Sequence, residues 1–216
     1  MTNRVEQILG RLANTYPNAS TDLKYRTPFE LLVAVILSAQ STDAQVNKIT
    51  AKLFERYNTP EAMAALTPDE LAEHIKGCGL FRNKSKFLVA TSRLLVENYH
   101  GEIPQNRDEL EKLPGVGRKT ANVVLGVAFG HQTFPVDTHV QRLAHRLGLA
   151  SGKTPEQVEK ELCGKIPPEL WQPCHHWLIQ HGRKVCDARK PRCCQCPLVD
   201  LCPTAPKKEE ISCTSF

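Results

Sequence analysis

The sequence has no apolar stretch long enough to span a membrane. Its longest uninterrupted apolar run, Leu31–Leu37, is far shorter than the ~20 residues that a transmembrane helix needs, so it predicts a buried helix instead. Residues 2–6 (Thr-Asn-Arg-Val-Glu) begin no apolar segment, and we therefore expect no secretory leader. These features predict a protein of the cytoplasm.

Signals for β-strands are also scarce. No segment alternates apolar and polar residues over a sustained length, and no Asn-Gly or Asp-Gly hairpin turn occurs. Helix-start signals recur instead: a Thr or Asn cap is followed three residues later by Glu or Gln, and three of these caps precede Pro. The predicted caps are Thr27, Thr42, Thr67, Asn106 and Thr154. The pattern predicts an all-α fold of roughly ten helices joined by short loops.

The charge and cysteine content restrict the partner and the redox environment. A net charge of +5 and a pI of about 8.7 permit a nucleic-acid partner without requiring one. Nine cysteines, an odd number, argue against a disulfide framework and favour a reducing cytosol with a metal site.

Four of the cysteines form a regular cluster in a short loop. The ligand candidates, spaced C-x6-C-x2-C-x5-C, are Cys186, Cys193, Cys196 and Cys202. Too few apolar residues lie between them to build a core, so a tetrathiolate metal centre would have to hold the loop. Zinc and an iron–sulfur cluster both suit four thiolates, although zinc sites usually use two close Cys pairs. Cys194 fits no alternative register, and we expect it to be a free thiol beside the cluster.

Residues 113–122 (Leu-Pro-Gly-Val-Gly-Arg-Lys-Thr-Ala-Asn) predict a tight turn between two helices. Residues 109–113 end the first helix, where Pro114 and Gly115 stop it, and the second helix begins near Arg118. Gly117 is a second residue without Cβ, which can take a positive φ and approach a ligand closely. The start of the second helix presents unpaired N–H groups and a partial positive charge, which suit a phosphate.

A lysine and a carboxylate flank the second helix of this hairpin. Lys119 lies one residue inside the helix, and Asp137 follows the far end in Val-Asp-Thr-His. The helix N-terminus, the adjacent Arg118 and burial of the turn would each favour a neutral, nucleophilic amine. Asp137 could take its proton or stabilise a nearby cation. The alternative is a surface lysine and an aspartate that only caps the next helix.

Together, the hairpin sequence and Val-Asp-Thr-His resemble the signature of the endonuclease III family of DNA glycosylases, and the resemblance extends from Pro28 to Cys202. It implies an all-α fold of two helical domains with the active cleft between them. Residues 21–130 would form a six-helix barrel with a helix-hairpin-helix at about 106–128. Residues 1–20 and 131–216 would form the second domain, with the cluster loop at 186–202.

The resemblance also implies an activity. Lys119 would attack C1′ of a damaged nucleotide, Asp137 would assist, and the resulting Schiff base would lead to strand cleavage 3′ of the abasic site by β-elimination. The expected substrates are oxidised or ring-saturated pyrimidines in double-stranded DNA, and abasic sites. The cysteine spacing matches the [4Fe–4S] loop of the family, which favours iron–sulfur over zinc. A monomer associated with the bacterial nucleoid is expected.

Further DNA contacts follow from the same resemblance. Gln40 would enter the gap left by an extruded nucleotide, and Leu80 would wedge into the stack from the opposite side. Without the resemblance, Gln40 could merely satisfy backbone ends and Leu80 could point into the core. The remaining predicted DNA-binding residues are Gly115, Gly117, Arg118, His139, Arg189, Lys190 and Arg192. His139 equally suits a packed or polar-face position, and the three loop cations equally suit a solvated basic loop.

Two other functions fit parts of this pattern. The adenine-mismatch glycosylase relatives share the hairpin, the aspartate and the cluster, but they lack a lysine at the position of Lys119 and carry an extra C-terminal domain. A non-catalytic DNA-binding module would use the hairpin and the basic loop only to hold the phosphate backbone. Such a module would bind an abasic duplex and leave both strands intact.

Overall fold

The computed structural model of the chain describes residues 3–206, in which α-helices and short 3-10 turns are joined by loops. The α-helices are α1 Asn3–Thr15, α2 Pro28–Ser38, α3 Asp43–Leu53, α4 Pro60–Ala64, α5 Pro68–His74, α6 Phe81–Tyr99, α7 Arg107–Leu110, α8 Arg118–Phe129, α9 Thr138–Arg146, α10 Pro155–Lys165 and α11 Trp171–Lys184. Short 3-10 turns occur at Pro168–Leu170, Cys193–Gln195 and Val199–Leu201. The described residues contain no β-strand, so the all-α prediction is confirmed. None of their helices combines the length and apolar character of a membrane span.

The predicted helix caps are present. All five predicted cap side chains accept a backbone N–H from the first turn of the helix that follows. The reciprocal contact from the third helical residue forms at Thr67 and Thr154. A sixth cap, Thr59 at the start of α4, was missed because its third following residue is Ala62 rather than Glu or Gln.

The backbone contacts divide the chain into two compact units. One is the continuous segment Asp22–His131. Its core is built around α2, in which every residue from Phe29 to Leu37 is buried, as the apolar run predicts. Helix α2 packs against α3, α6 and α8, and each of these three helices directly follows a turn that carries candidate site residues of this unit.

The second unit contains the described residues on either side of that segment. Its core combines α1, α9, α10 and α11 around fully buried side chains such as Phe134 and Leu12. Two arginines of α1 bind carbonyls of the cysteine-rich segment: Arg4 Nε donates to Leu201 O at 3.0 Å, and Arg11 Nη1 donates to Pro197 O at 2.9 Å. Residues near the beginning of the described chain therefore hold the cysteine loop, which lies near its end.

Candidate active site and cysteine centre

The hairpin has a shorter first helix than the sequence predicts. Helix α7 ends at Leu110, and turns rather than helix continue to Leu113. Leu110 and Leu113 are buried, and Val116 N donates to Leu113 O at 3.0 Å. Thr91 of α6 donates its hydroxyl to Pro114 O at 2.8 Å. The buried leucines and the hydrogen bond from α6 therefore hold the inner side of the turn, while its outer side is exposed to solvent.

The two glycines of the turn have different roles. Gly115 has a φ of +79°, and a Cβ there would lie 3.0 Å from Phe87 Cβ, so both conformation and packing require glycine. Gly117 has a φ of −98°, so the expected positive φ at this residue is wrong. A Cβ on Gly117 would have no neighbour within 4 Å. Nothing in the described structure requires glycine there, which leaves close approach of an external ligand as a reason.

Lys119 lies in the first turn of α8. The helix begins at Arg118 as expected, with Gly117 in the capping position, and no side chain within residues 3–206 caps its first N–H groups. Gly115, Gly117 and Lys119 are all exposed, so the expected burial of this turn is wrong. Burial occurs on the opposite face of α8, where Ala121 and Val124 are fully enclosed in the core. The Lys119 amine therefore stands at a solvent-accessible, electropositive helix end.

Asp137 is half-buried and caps α9. Its Oδ1 accepts a hydrogen bond from Val140 N at 2.8 Å, as the capping alternative predicts. A carboxylate has two oxygens with several lone pairs, so a single cap contact does not use up its capacity as a base or counter-ion. The capping and catalytic interpretations of Asp137 are therefore compatible.

Helix α11 fixes the segment that leads to Asp137. The buried His175 donates from Nδ1 to Pro135 O at 2.8 Å, and Gln172 Nε2 donates to Thr133 O at 2.9 Å. Phe134, between these two contacts, is fully buried. The backbone that presents the carboxylate is thus held on both sides by side chains of one helix. Spacing in the sequence gave no indication of these supports.

His139 is packed rather than extended into solvent. Arg142 Nη2 donates to His139 Nδ1 at 3.1 Å and to Gly182 O at 3.1 Å, which ties α9 to α11. Burial lowers the pKa of His139, a shift that the nearby Asp137 charge partly opposes. These contacts favour the packed alternative for this side chain, and its contact with DNA stays a prediction.

Gln40 and Leu80 are the exposed tips of two turns. Both have left-handed backbone conformations, with φ values of +56° and +57°, which side chains other than glycine seldom adopt. Leu80 is 54% exposed, so the alternative that places it in the core is wrong. An apolar side chain held in solvent by an unfavourable backbone conformation indicates a contact surface.

The four predicted cysteine ligands line one cavity. It has a volume of about 330 Å³, and its wall includes Cys186, Cys193, Cys196 and Cys202. Cys194 is exposed and is not part of this wall, as expected for the surplus thiol. Within residues 3–206, no three His, Cys, Asp or Glu side chains come close enough together to share one metal ion.

Two thiols of this cavity, those of Cys193 and Cys196, are in an unfavourable environment for negative charge. Burial, together with the charges of the neighbouring thiolates, raises the pKa of Cys196 to about 11, and burial also raises the pKa of Cys193. A bound cation would offset the repulsion between neighbouring thiolates and so favour their charged form.

Two residues beside the cysteines were missed by the sequence analysis. His181 is buried, and its Nε2 lies 3.4 Å from Cys196 Sγ while its Nδ1 lies 2.9 Å from the Tyr16 hydroxyl. Burial lowers the pKa of His181 to about 4, so the ring is neutral at physiological pH. Arg146 Nη1 lies 3.3 Å from Cys186 Sγ. Arg146 is 40 residues from Cys186 and His181 is 15 residues from Cys196, and neither belongs to the regular cysteine spacing, so the spacing does not identify them.

The basic loop between the first two cysteines has a defined backbone. Asp187 accepts hydrogen bonds from Arg189 N at 2.9 Å and Lys190 N at 3.4 Å, and these contacts lower the pKa of its carboxyl group. Arg146 donates to Asp187 O at 2.7 Å. Arg189, Lys190 and Arg192 are all exposed, so three cations project from a loop whose main chain is held internally.

Comparison with known proteins identifies relatives over nearly the whole chain. Residues 33–168 match the family of HhH-GPD superfamily base excision DNA repair proteins. Endonuclease III of Haemophilus influenzae is 52% identical over 208 residues, which cover 96% of this chain and 98% of that protein. A non-covalent endonuclease III–DNA complex has a TM-score of 0.90 at 46% identity and covers 94% of this chain and 97% of its own. A trapped endonuclease III–DNA covalent intermediate has a TM-score of 0.90 at 47% identity with the same coverage.

The helical fold, the hairpin and the family match define a base-excision DNA repair protein of the helix-hairpin-helix type. Given its identity to these relatives over nearly its whole length, the chain belongs to the endonuclease III family. It binds DNA and is a DNA glycosylase and abasic-site lyase. The relatives support this assignment over the adenine-mismatch glycosylase and the non-catalytic module.

Alanine substitution of the two hairpin glycines tests whether a DNA phosphate comes close to the start of α8. We expect Gly117→Ala to change the free energy of unfolding by about 1 kcal/mol or less, because its Cβ meets nothing. Its affinity for an abasic-site duplex should fall about tenfold, because the methyl group would obstruct hydrogen bonds from the helix end to a phosphate. Gly115→Ala should instead destabilise the fold by about 1–2 kcal/mol.

Chemical denaturation and fluorescence anisotropy with labelled duplex measure these two quantities. Unchanged DNA affinity of a folded Gly117→Ala protein would contradict a phosphate contact at this turn.

Proposed function

We propose that Lys119 is the nucleophile of both the glycosylase and the lyase reaction. Its neutral amine forms a bond to C1′ of the damaged nucleotide while the bond from C1′ to the base breaks, and the base leaves with the electron pair and takes up a proton. The sugar ring then opens to a Schiff base between C1′ and the lysine nitrogen. Loss of a proton from C2′ expels the 3′-phosphate by β-elimination and cleaves the strand.

The observation that carries this proposal is the position of Lys119 in an uncapped first helical turn. The amine is exposed, as attack on a deoxyribose requires, and the adjacent N–H groups can hold a phosphate of the same strand. The relative that was solved as a trapped covalent intermediate with DNA supports a covalent step.

We assign Asp137 the role of proton acceptor and counter-ion to the same sugar. The proposal requires that Lys119 and Asp137 act on one nucleotide, although they belong to different compact units. The rigid support of residues 133–136 by α11 holds the carboxylate in a fixed position, which a catalytic base needs. The Val140 contact fixes Oδ1, and Oδ2 is the oxygen that we assign to the reaction.

We further propose that the cysteine cavity holds a [4Fe–4S] cluster through Cys186, Cys193, Cys196 and Cys202. The cavity volume is equivalent to roughly ten water molecules, much more than one zinc ion would fill. Among residues 3–206, no three His, Cys, Asp or Glu side chains are placed to bind one metal ion together. This finding is compatible with a cluster, because each thiolate would bind a different iron. When bound, the cluster supplies the cross-link that holds the loop.

His181 and Arg146 suit this role of the cavity. A neutral His181 that accepts from the Tyr16 hydroxyl presents its Nε2–H to the Cys196 sulfur, and Arg146 presents an N–H to the Cys186 sulfur. Both groups donate hydrogen bonds to sulfur, as expected beside metal-bound thiolates.

Two basic elements would hold the DNA backbone around the lesion. The first turn of α8, with Gly115, Gly117 and Arg118, would bind one phosphate segment, and the exposed cations of the cysteine loop would bind another. Gln40 and Leu80 would fill the space of the extruded nucleotide. We propose that the enzyme acts as a monomer on oxidised or ring-saturated pyrimidines and is associated with the bacterial nucleoid.

Borohydride trapping tests the nucleophile. The wild-type protein should form a covalent adduct with abasic-site DNA, and Lys119→Ala should lower adduct formation at least about 1,000-fold because no other amine occupies its position. Lys112→Ala is a matched control, because Lys112 is an exposed lysine of the same hairpin that pairs with Glu109 at 2.7 Å. A full adduct with Lys119→Ala, or none with the wild type, would refute the assignment.

Replacement of Asp137 by asparagine separates capping from catalysis. Asn caps helices about as well as Asp, so Asp137→Asn should keep the free energy of unfolding within about 1 kcal/mol of the wild-type value. Its single-turnover rate of base excision should fall about 100-fold or more, because the amide cannot accept the proton. Asp137→Ala should lose both the rate and about 1 kcal/mol of stability. Wild-type excision by Asp137→Asn would show that the carboxylate serves only as a cap.

Metal content tests the cysteine assignment. Cys196→Ser should reduce bound iron and acid-labile sulfide and lower thermal stability, because the loop loses one anchor. Cys194→Ser is the control, because Cys194 lies in the same loop between Cys193 and Cys196. This variant should retain the iron and sulfide of the wild type. Elemental analysis and visible absorption measure both. One zinc ion per chain with no iron would overturn the cluster assignment.

A further inference from the structure

Lys84 carries a buried ammonium group whose acceptors all belong to one turn. Its side chain is 4% exposed, and Nζ donates to Leu37 O at 2.8 Å, Ala39 O at 2.5 Å and Ser41 Oγ at 3.3 Å. These contacts use all three N–H donors of the ammonium group. The two carbonyls lie at the C-terminal end of α2, where the helix dipole favours a cation. Two of the acceptors, on Ala39 and Ser41, lie immediately before and after Gln40.

The same lysine also holds the second turn. Lys84 lies in the first turn of α6, and its backbone N–H donates to Leu80 O at 3.0 Å. The Ser41 hydroxyl oxygen that Lys84 contacts also accepts a hydrogen bond from Gly79 N at 3.0 Å. Lys84 and Ser41 therefore join the two turns that carry Gln40 and Leu80.

The backbones of the two turns are in direct contact. A Cβ on Gly79 would lie 2.6 Å from Gln40 O, so the close approach requires glycine. Gln40 and Leu80 both have left-handed conformations that an isolated chain would populate rarely. Such conformations persist only when surrounding contacts determine them, and the contacts of Lys84 and Ser41 surround both residues.

We propose that Lys84 is a positioning residue that holds Gln40 and Leu80 as one preorganised pair for insertion into the duplex. The inference rests on the DNA-contact roles given to these two residues in the proposed function. By fixing both turns in the folded protein, Lys84 removes the ordering that DNA binding would otherwise require. Loss of the ammonium group would leave Leu37 O and Ala39 O without this donor and remove one of the two donors to the Ser41 hydroxyl oxygen, which would allow each turn to relax independently.

A double-mutant cycle distinguishes positioning from a merely structural role. Lys84→Met is made in the wild type and in the Gln40→Ala, Leu80→Ala double variant, with Lys86→Met as an exposed control on the same helix. The measurements are affinity for a duplex with a tetrahydrofuran abasic analogue and single-turnover excision of dihydrouracil. We expect about tenfold or greater loss for the double variant, a comparable loss for Lys84→Met, and little further loss when all three are combined.

Hydrogen exchange provides a readout that does not depend on DNA. Lys84→Met should accelerate amide exchange in residues 39–41 and 79–81 together, while the core of α2 stays protected. Ser41→Ala, which removes only the shared hydroxyl, is the milder variant if Lys84→Met fails to fold, and it should accelerate exchange in the same two segments.

Three results would overturn the inference, and they can be told apart. Unchanged exchange in both turns would show that Lys84 and Ser41 do not hold them. Losses that multiply in the combined variant would show that Lys84 acts independently of Gln40 and Leu80. If the double alanine variant binds and excises normally, the DNA role given to these residues in the proposed function fails, and the inference fails with it.

Discussion

An α-helix that begins without a side-chain cap leaves its first N–H groups for another partner, and the start of α8 is such a helix end. The contacts of the hairpin serve to present it: Thr91 anchors Pro114, and Gly115 makes the sharp bend over Phe87. Lys119 is in the electropositive first turn, and the buried face of α8 fixes the helix in the core. A ligand of negative charge would complete this arrangement, and the DNA backbone is the ligand that we propose.

Signals confined to a few consecutive residues predicted most of the fold. A Thr or Asn cap with an acidic or amide side chain three residues later identified the starts of five helices, and the apolar run of α2 identified the centre of one core. The positive φ was assigned to Gly117 because glycine permits that conformation, but only contacts such as that between Gly115 and Phe87 determine which glycine adopts it. The extent of burial at Lys119 likewise depends on which face of α8 meets the core.

The candidate site residues likewise fall into two groups: those that local spacing predicted and those that only packing brings together. The cysteine spacing identified the four cysteines of the cavity wall, because they lie within one loop. His181, Arg146 and Lys84 have no such spacing, and their contacts with Cys196, Cys186 and Ala39 come from separate helices brought together by packing. In the sequence, Lys84 cannot be distinguished from any other basic residue of an amphipathic helix, because its burial among carbonyls depends on packing.

The contacts of Arg4 and Arg11 with residues 197–201 also bear on how the chain is made. A ribosome releases the segment Asp22–His131 as an uninterrupted stretch, so this unit can fold while later residues are still being translated. Helix α1 is translated before this segment, whereas its carbonyl acceptors near residue 200 are translated after it. The unit that contains the cysteine loop is therefore completed only after residues 197–201 have been translated, which is later than the segment that forms the hairpin unit.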